Sequence, residues 1–182
     1  KGGIFCKSIE ELVPNVSILI TCLPSPKSVK DVLLKCIPLF NQSHLWIEMS
    51  TTDENDMKYL SELVFDKKAE VIEAPITGGQ HRAKSGNISI LVGGSRESFE
   101  RSFPILSCVG HQILHCGNIG KASTLKVVTN YLASINLLAL GEALMVCKKY
   151  GIDLKTAFEG IKISSGNSFV HETESQVILN GS

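Results

Sequence analysis

The chain is 182 residues long, 43% hydrophobic and 20% charged, with six prolines. That suffices for one domain with a sizeable core, or for one domain and a piece of another, and it excludes a disordered or fibrous polymer. Eighteen basic residues balance eighteen acidic ones, so no net field draws the chain to nucleic acid or an anionic membrane, and an anionic ligand must be held by local groups.

Residues 17–22 form a short apolar run closed by Leu23-Pro24-Ser25-Pro26, which reads as a buried strand entering a rigid turn. Val29, Val32, Leu33 and Cys36 then recur at helical spacing over residues 28–36. A second buried strand is expected over 44–49. Ser50-Thr51-Thr52-Asp53 follows it and supplies N-cap chemistry for a helix through Phe65. A third strand is expected over 69–73, before Pro75. Strand–helix–strand–helix–strand at this spacing implies right-handed crossovers and a mostly parallel sheet. Ligands of such sheets bind beyond the carboxyl ends of the strands. Those ends are Leu23-Pro24, Ser50-Thr51 and Thr77-Gly78-Gly79.

Further strands are expected over 87–92 and 111–116, with a helix from about Ser95 between them. From Lys121 to Tyr150 the only helix breaker is Gly141, which predicts a helix about 45 Å long, ended by Gly151 as a C′ glycine. A shorter helix, Ser164-Ser165-Gly166 and the start of another helix complete the chain. The sequence after Gly120 reads as all-helical, so a domain boundary is expected there, dividing 1–119 from 120–182. Residues 131–147 are apolar nearly all round but are interrupted by Asn136, Gly141 and Glu142. They fall short of the roughly 20 residues of a membrane span and read as a buried helix.

The six cysteines include no Cys-x-x-Cys pair, and most lie in apolar runs, which favours free thiols in a reducing compartment. Cys108, His111, His115 and Cys116 superficially suggest zinc. Their spacing does not match paired ligands, and a strand would put His115 and Cys116 on opposite faces. No metal site is expected. Trp46 and the scattered aromatics do not interleave with basic residues, as a nucleic-acid platform requires. Gly-x-Gly-x-x-Gly is missing. Gly120-Lys121 fails as a P-loop because His115 and Ala122 replace the required glycine and hydroxyl residue. If the chain binds a dinucleotide, the pyrophosphate turn lies before residue 1.

Two features carry candidate chemistry. Thr77-Gly78-Gly79 after a strand can simply be a tight turn, or its bare N–H groups and the Thr77 hydroxyl can form a nest for a carboxylate. Lys126 and Asn130, at i and i+4, share a helix face among apolar neighbours. The lysine can snorkel to solvent. It can equally be desolvated, with a lowered pKa that suits proton transfer.

Taken together, the segment from Glu73 through Ala74, Pro75, Ile76, Thr77 and Gly78 to Gly79, then Ala83, Gly86 and Leu91-Val92-Gly93-Gly94, resembles the substrate-binding signature of the β-hydroxyacid dehydrogenases. Gly117 and Gly120 with Lys126 and Asn130 resemble that family's catalytic motif, Leu23-Pro24 and Ser50-Thr51 its nicotinamide-side loops, and Ser164-Ser165-Gly166 a loop near its active site. The family has aspartate where this chain has Glu73, commonly a second glycine at Ala122, and often serine at Thr77. The resemblance implies an incomplete Rossmann-like α/β domain over 1–119, followed over 120–182 by the start of a helical dimerisation and substrate domain. It implies that the chain is an internal fragment, with a Gly-rich loop upstream and further helices downstream.

It also implies an NAD- or NADP-dependent oxidoreductase acting on a small 3-hydroxy acid such as 3-hydroxyisobutyrate or glycerate. Lys126 and Asn130 would be catalytic, Thr77, Gly78 and Gly79 would bind substrate, and Leu23, Pro24, Ser28 and Thr51 would line the cofactor. A homo-oligomer in the cytoplasm, or in the mitochondrial matrix of a eukaryote, is expected, with no membrane or nucleic-acid partner. Two alternatives stay open. One is 6-phosphogluconate dehydrogenase, which has histidine where this chain has Thr129 and a much longer helical domain. The other is a non-catalytic member serving as an oligomeric binding module, although such members typically lose the lysine.

Overall fold

A computed structural model describes residues 2–180, and of Gln80 and His81 the backbone alone. The chain divides into two compact units, Lys1–Val127 and Val128–Ser182.

The first unit opens with a short helix α1 (Ile9–Leu12), then β1 (Ile18–Thr21), α2 (Pro26–Cys36), β2 (Leu45–Glu48), α3 (Glu54–Phe65) and β3 (Glu70–Glu73). It continues with β4 (Ile76–Thr77), α4 (Gly79–Lys84), β5 (Ile88–Gly93), α5 (Arg96–Val109) and β6 (Gly110–Gly117). Among the described residues the sheet runs β1-β2-β3-β5-β4, with β6 also paired to β5. Its strands alternate between two cores. Leu19, Trp46 and Val71 pack with Val29 and Leu33 of α2 and Met57, Leu60 and Val64 of α3. Leu45, Ile47, Ile72 and Ile90 face the opposite core, with Phe99 and Leu106 of α5. Helices therefore cover both faces, as the continuous apolar runs of the central strands require.

β1, β2 and β3 are parallel, and so are β5 and β6. The sheet is thus mostly parallel, as expected, with one exception that was not: β5 runs antiparallel to both β3 and β4. A parallel return needs a long crossover. Here β4 and the six-residue α4 leave the chain at the same end of the sheet, so β5 must run back. Neither β4 nor α4 was legible from periodicity, since two and six residues carry too little pattern.

The 29-residue α6 (Lys121–Lys149) begins in the first unit. In the second unit its later part packs Leu140 and Leu144 with Ala157 of α7 (Leu154–Lys162). α8 (Phe169–Leu179) contributes His171, whose Nε2 pairs with the Phe158 carbonyl at 3.0 Å. Gly151, at φ +74°, ends α6 as expected. Its N–H bonds Lys148 O and the Ile152 N–H bonds Cys147 O, the paired bonds of a glycine-terminated helix. The expectation of a buried helix over 131–147 is corrected: Leu138 is 62% exposed and Met145 72%. The short α7 and α8 can cover only one stripe of so uniformly apolar a helix. By length and composition alone α6 could cross a membrane.

Candidate active site

The carboxyl ends of the parallel strands carry an in-register row: Thr21 opposite Glu48, Glu48 opposite Glu73, and Glu73 opposite Gly93. Both glutamates are fully buried. Glu48 accepts from the Thr21 hydroxyl and from the Ser50 N–H at 2.6 Å. Trp46 Nε1 donates to the same threonine oxygen at 2.8 Å. Ser50 Oγ in turn accepts from the Leu23 N–H at 2.8 Å, so one buried carboxylate fixes the loops after both β1 and β2. Burial pushes the Glu48 carboxyl above the ordinary range, against the pull of its hydrogen bonds from Ser50 and Thr21.

Glu73 serves another element. Its Oε1 accepts from the Ala122 N–H at 2.9 Å, and its Oε2 from the Ser123 N–H at 3.3 Å and from the Ser123 hydroxyl. These are orphan donors of the first turn of α6. Lys126, one turn further along, is buried at 8% exposure, and this desolvation holds its pKa below the ordinary lysine value. Lys126 lines a cavity of about 330 Å³ with Ile76, Thr77, Gly79, Ala83 and Ile88. Gly78 and Gly79 both have positive φ, +118° and +71°. Both lie in the left-handed region that glycine adopts without strain, so this loop favours glycine for its conformation.

The fold thus brings Thr77, Gly79 and Lys126 together and sets Gly78 in the same loop. Leu23, Pro24 and Thr51 lie at the neighbouring strand ends, Pro24 and Thr51 exposed. Ser28 is committed locally: its N–H and hydroxyl both pair with Ser25 Oγ, capping α2. Asn130 belongs to the second unit and is exposed. Sequence reasoning missed Glu48 and Glu73 as anchors and Ile76, Ala83 and Ile88 as walls. A signal existed for the anchors, since each glutamate ends a strand directly after two apolar residues, Trp46-Ile47 and Val71-Ile72. His115 is structural: its Nε2 pairs with Gly94 O at 3.0 Å and its ring stacks on Phe99 at 4.9 Å. All six cysteines are free.

These residues fit the nicotinamide end of a dinucleotide. The exposed Pro24 and Thr51 beside Leu23 offer an apolar surface and a hydroxyl at the carboxyl edge of parallel strands, the position where α/β sheets bind such cofactors. The sequence has no Gly-x-Gly-x-x-Gly for the pyrophosphate.

Comparison with known proteins agrees with this arrangement. A family profile described as the NAD binding domain of 6-phosphogluconate dehydrogenase matches residues 1–117. Another, described as NAD-binding of NADP-dependent 3-hydroxyisobutyrate dehydrogenase, matches residues 120–182. The chain is 28% identical to 2-(hydroxymethyl)glutarate dehydrogenase of Eubacterium barkeri, over 98% of this chain and 60% of that protein. It is 30% identical to the mitochondrial 3-hydroxyisobutyrate dehydrogenase of Rattus norvegicus, over 97% of this chain and 53% of that one. The solved structure of Mycobacterium tuberculosis 3-hydroxyisobutyrate dehydrogenase with L-serine superposes with a TM-score of 0.86 at 25% identity, covering 93% of this chain and 58% of the other. The chain thus spans little more than half the length of these relatives. The two profile matches, over residues 1–117 and 120–182, and the likeness to these dehydrogenases make the chain a member of the β-hydroxyacid dehydrogenase family of NAD- or NADP-binding oxidoreductases.

Proposed function

We propose that the chain carries the substrate site of an enzyme that moves a hydride between a small 3-hydroxy acid and NAD or NADP, with a dinucleotide-binding portion over 1–119 and the start of a helical substrate domain from 120. The observation that supports this most is the buried Lys126, its pKa lowered by desolvation, on the same cavity as Thr77 and Gly79. The Thr77 hydroxyl and the N–H groups of Gly78 and Gly79 hold the substrate carboxylate, as a left-handed glycine nest does for anions. Neutral Lys126 takes the hydroxyl proton at Nζ, and as an ammonium returns it to the carbonyl oxygen in the reverse direction. Asn130 orients the reacting oxygen. Leu23, Pro24, Ser28 and Thr51 line the nicotinamide, which when bound supplies the hydride acceptor. The walls Ile76, Ala83 and Ile88 suit an alkyl substituent such as that of 3-hydroxyisobutyrate better than the second hydroxyl of glycerate.

The test is Lys126→Ala in the full-length gene product. Turnover of 3-hydroxyisobutyrate falls by about 10²- to 10⁴-fold, while cofactor Kd, measured by nucleotide fluorescence, is unchanged. Retained turnover would refute the assignment. A higher kcat/KM for glycerate than for 3-hydroxyisobutyrate would refute the substrate preference.

A further inference from the structure

Glu73 has the geometry of a device that sets the catalytic lysine, and this inference rests on the reading of Lys126 given above. α6 starts immediately after Gly120, whose φ is +95°. That residue has no side chain with which to cap the helix, although helices ordinarily gain this from Ser, Thr, Asp or Asn at the N-cap. The missing acceptor comes from the sheet. Glu73, on the last residue of β3, receives the N–H groups of Ala122 and Ser123 and the Ser123 hydroxyl.

The surroundings are shaped to this contact. Ala122 and Ser123 are buried. Gly93, opposite Glu73 in the neighbouring strand, leaves the space the carboxylate occupies, and a Cβ there would collide with it. A negative charge at this position also matches the positive end of the helix dipole. Glu54 of α3 adds a second tie, accepting from Thr124 Oγ1 at 3.1 Å.

The cavity has two sides to keep in register. Ile76 and Thr77 follow Glu73 by three and four residues on the same chain segment, and Lys126 follows Ser123 by three on α6. One carboxylate therefore joins the strand that leads to the carboxylate nest to the helix turn just before the lysine. We propose that Glu73 is a positioning residue: by capping α6 from the end of β3, it fixes the placement of Lys126 over the Thr77 loop. Glu73 itself touches neither substrate nor cofactor.

The experiment compares Glu73→Gln, Glu73→Asp and Lys126→Ala in the full-length gene product. Gln keeps the volume but turns an NH₂ toward donors that need an acceptor. It is expected to speed amide hydrogen exchange at Ala122 and Ser123 and to lower kcat by roughly 10- to 100-fold through misplacement of the lysine. The cofactor KM stays within about twofold. Asp, still an acceptor for two N–H groups, recovers most of the loss. A Glu73→Gln enzyme with wild-type kcat, or one whose kcat and cofactor KM deteriorate together without rescue by Asp, overturns the proposal. If Gln prevents folding, Ser123→Ala takes its place, and an unchanged kcat there overturns it equally. Loss of turnover in Lys126→Ala with none in Glu73→Gln defeats only the positioning role. Retained turnover in Lys126→Ala defeats the reading beneath it.

Discussion

Lys126 and Glu48 are both ionisable groups that burial pushes toward their neutral forms, with opposite consequences. For Lys126 the depressed pKa enlarges the fraction of free amine near neutral pH, which is the form that accepts a proton. We expect kcat/KM for oxidation to rise with pH through an apparent pKa below the roughly 10.4 of free lysine. A pH–rate profile with no inflection below that value would contradict this. For Glu48 the shift is upward from 4.5, so its folded value lies above its unfolded one. Its stabilising contribution is complete below the unfolded value and is lost as pH rises through the folded value. Glu48→Gln removes that titration. The difference in Tm, variant minus wild type, should therefore increase as pH rises above 4.5, and a flat or falling difference would exclude Glu48 as the titrating group.

The helices and strands that hold these residues start and stop on identifiable groups. Asp53 caps α3, its Oδ1 accepting from the Asn55 and Asp56 N–H groups at 2.8 and 3.0 Å. Asp53→Ala should cost about 1 kcal/mol of stability in urea denaturation. An unchanged midpoint would mean that the helix end is held by packing alone. This cap was legible in the sequence because it is local: the acceptor lies two and three residues from its donors. The cap of α6 was not. Glu73 is distant in sequence from Ala122, and nothing in the intervening residues announces the contact. The same distinction separates the glycines: Gly151 could be read from the end of a helical pattern, whereas the need for glycine at Gly93 follows from a side chain on another strand.

At the level of the whole chain the dominant feature is the apolar surface of α6. Tyr131, Leu138, Met145 and Val146 are all more than half exposed, on a helix whose neighbours in the second unit cover only the stripe around Leu140 and Leu144. Exposed apolar surface of this extent drives association. The 182-residue chain should elute in size exclusion above its 19.8 kDa monomer mass, and the double variant L138E/M145E should shift it toward the monomer. Elution of the parent chain as a monomer would show that this face needs no cover.

The sequence by itself determined the α/β class, the chain order of the main elements and the place of the glycine loop after the third strand, because each rests on short-range periodicity or local backbone chemistry, whereas Lys126 stood out only through its resemblance to a family motif. The tertiary structure decided the rest. The antiparallel return of β5 depends on where β4 and α4 leave the chain. The meeting of Thr77, Gly79 and Lys126 on one cavity depends on packing between elements far apart in sequence. The roles of Glu48 and Glu73 arise only when strand ends are brought into register, since a buried carboxylate is tolerated only where distant donors converge on it.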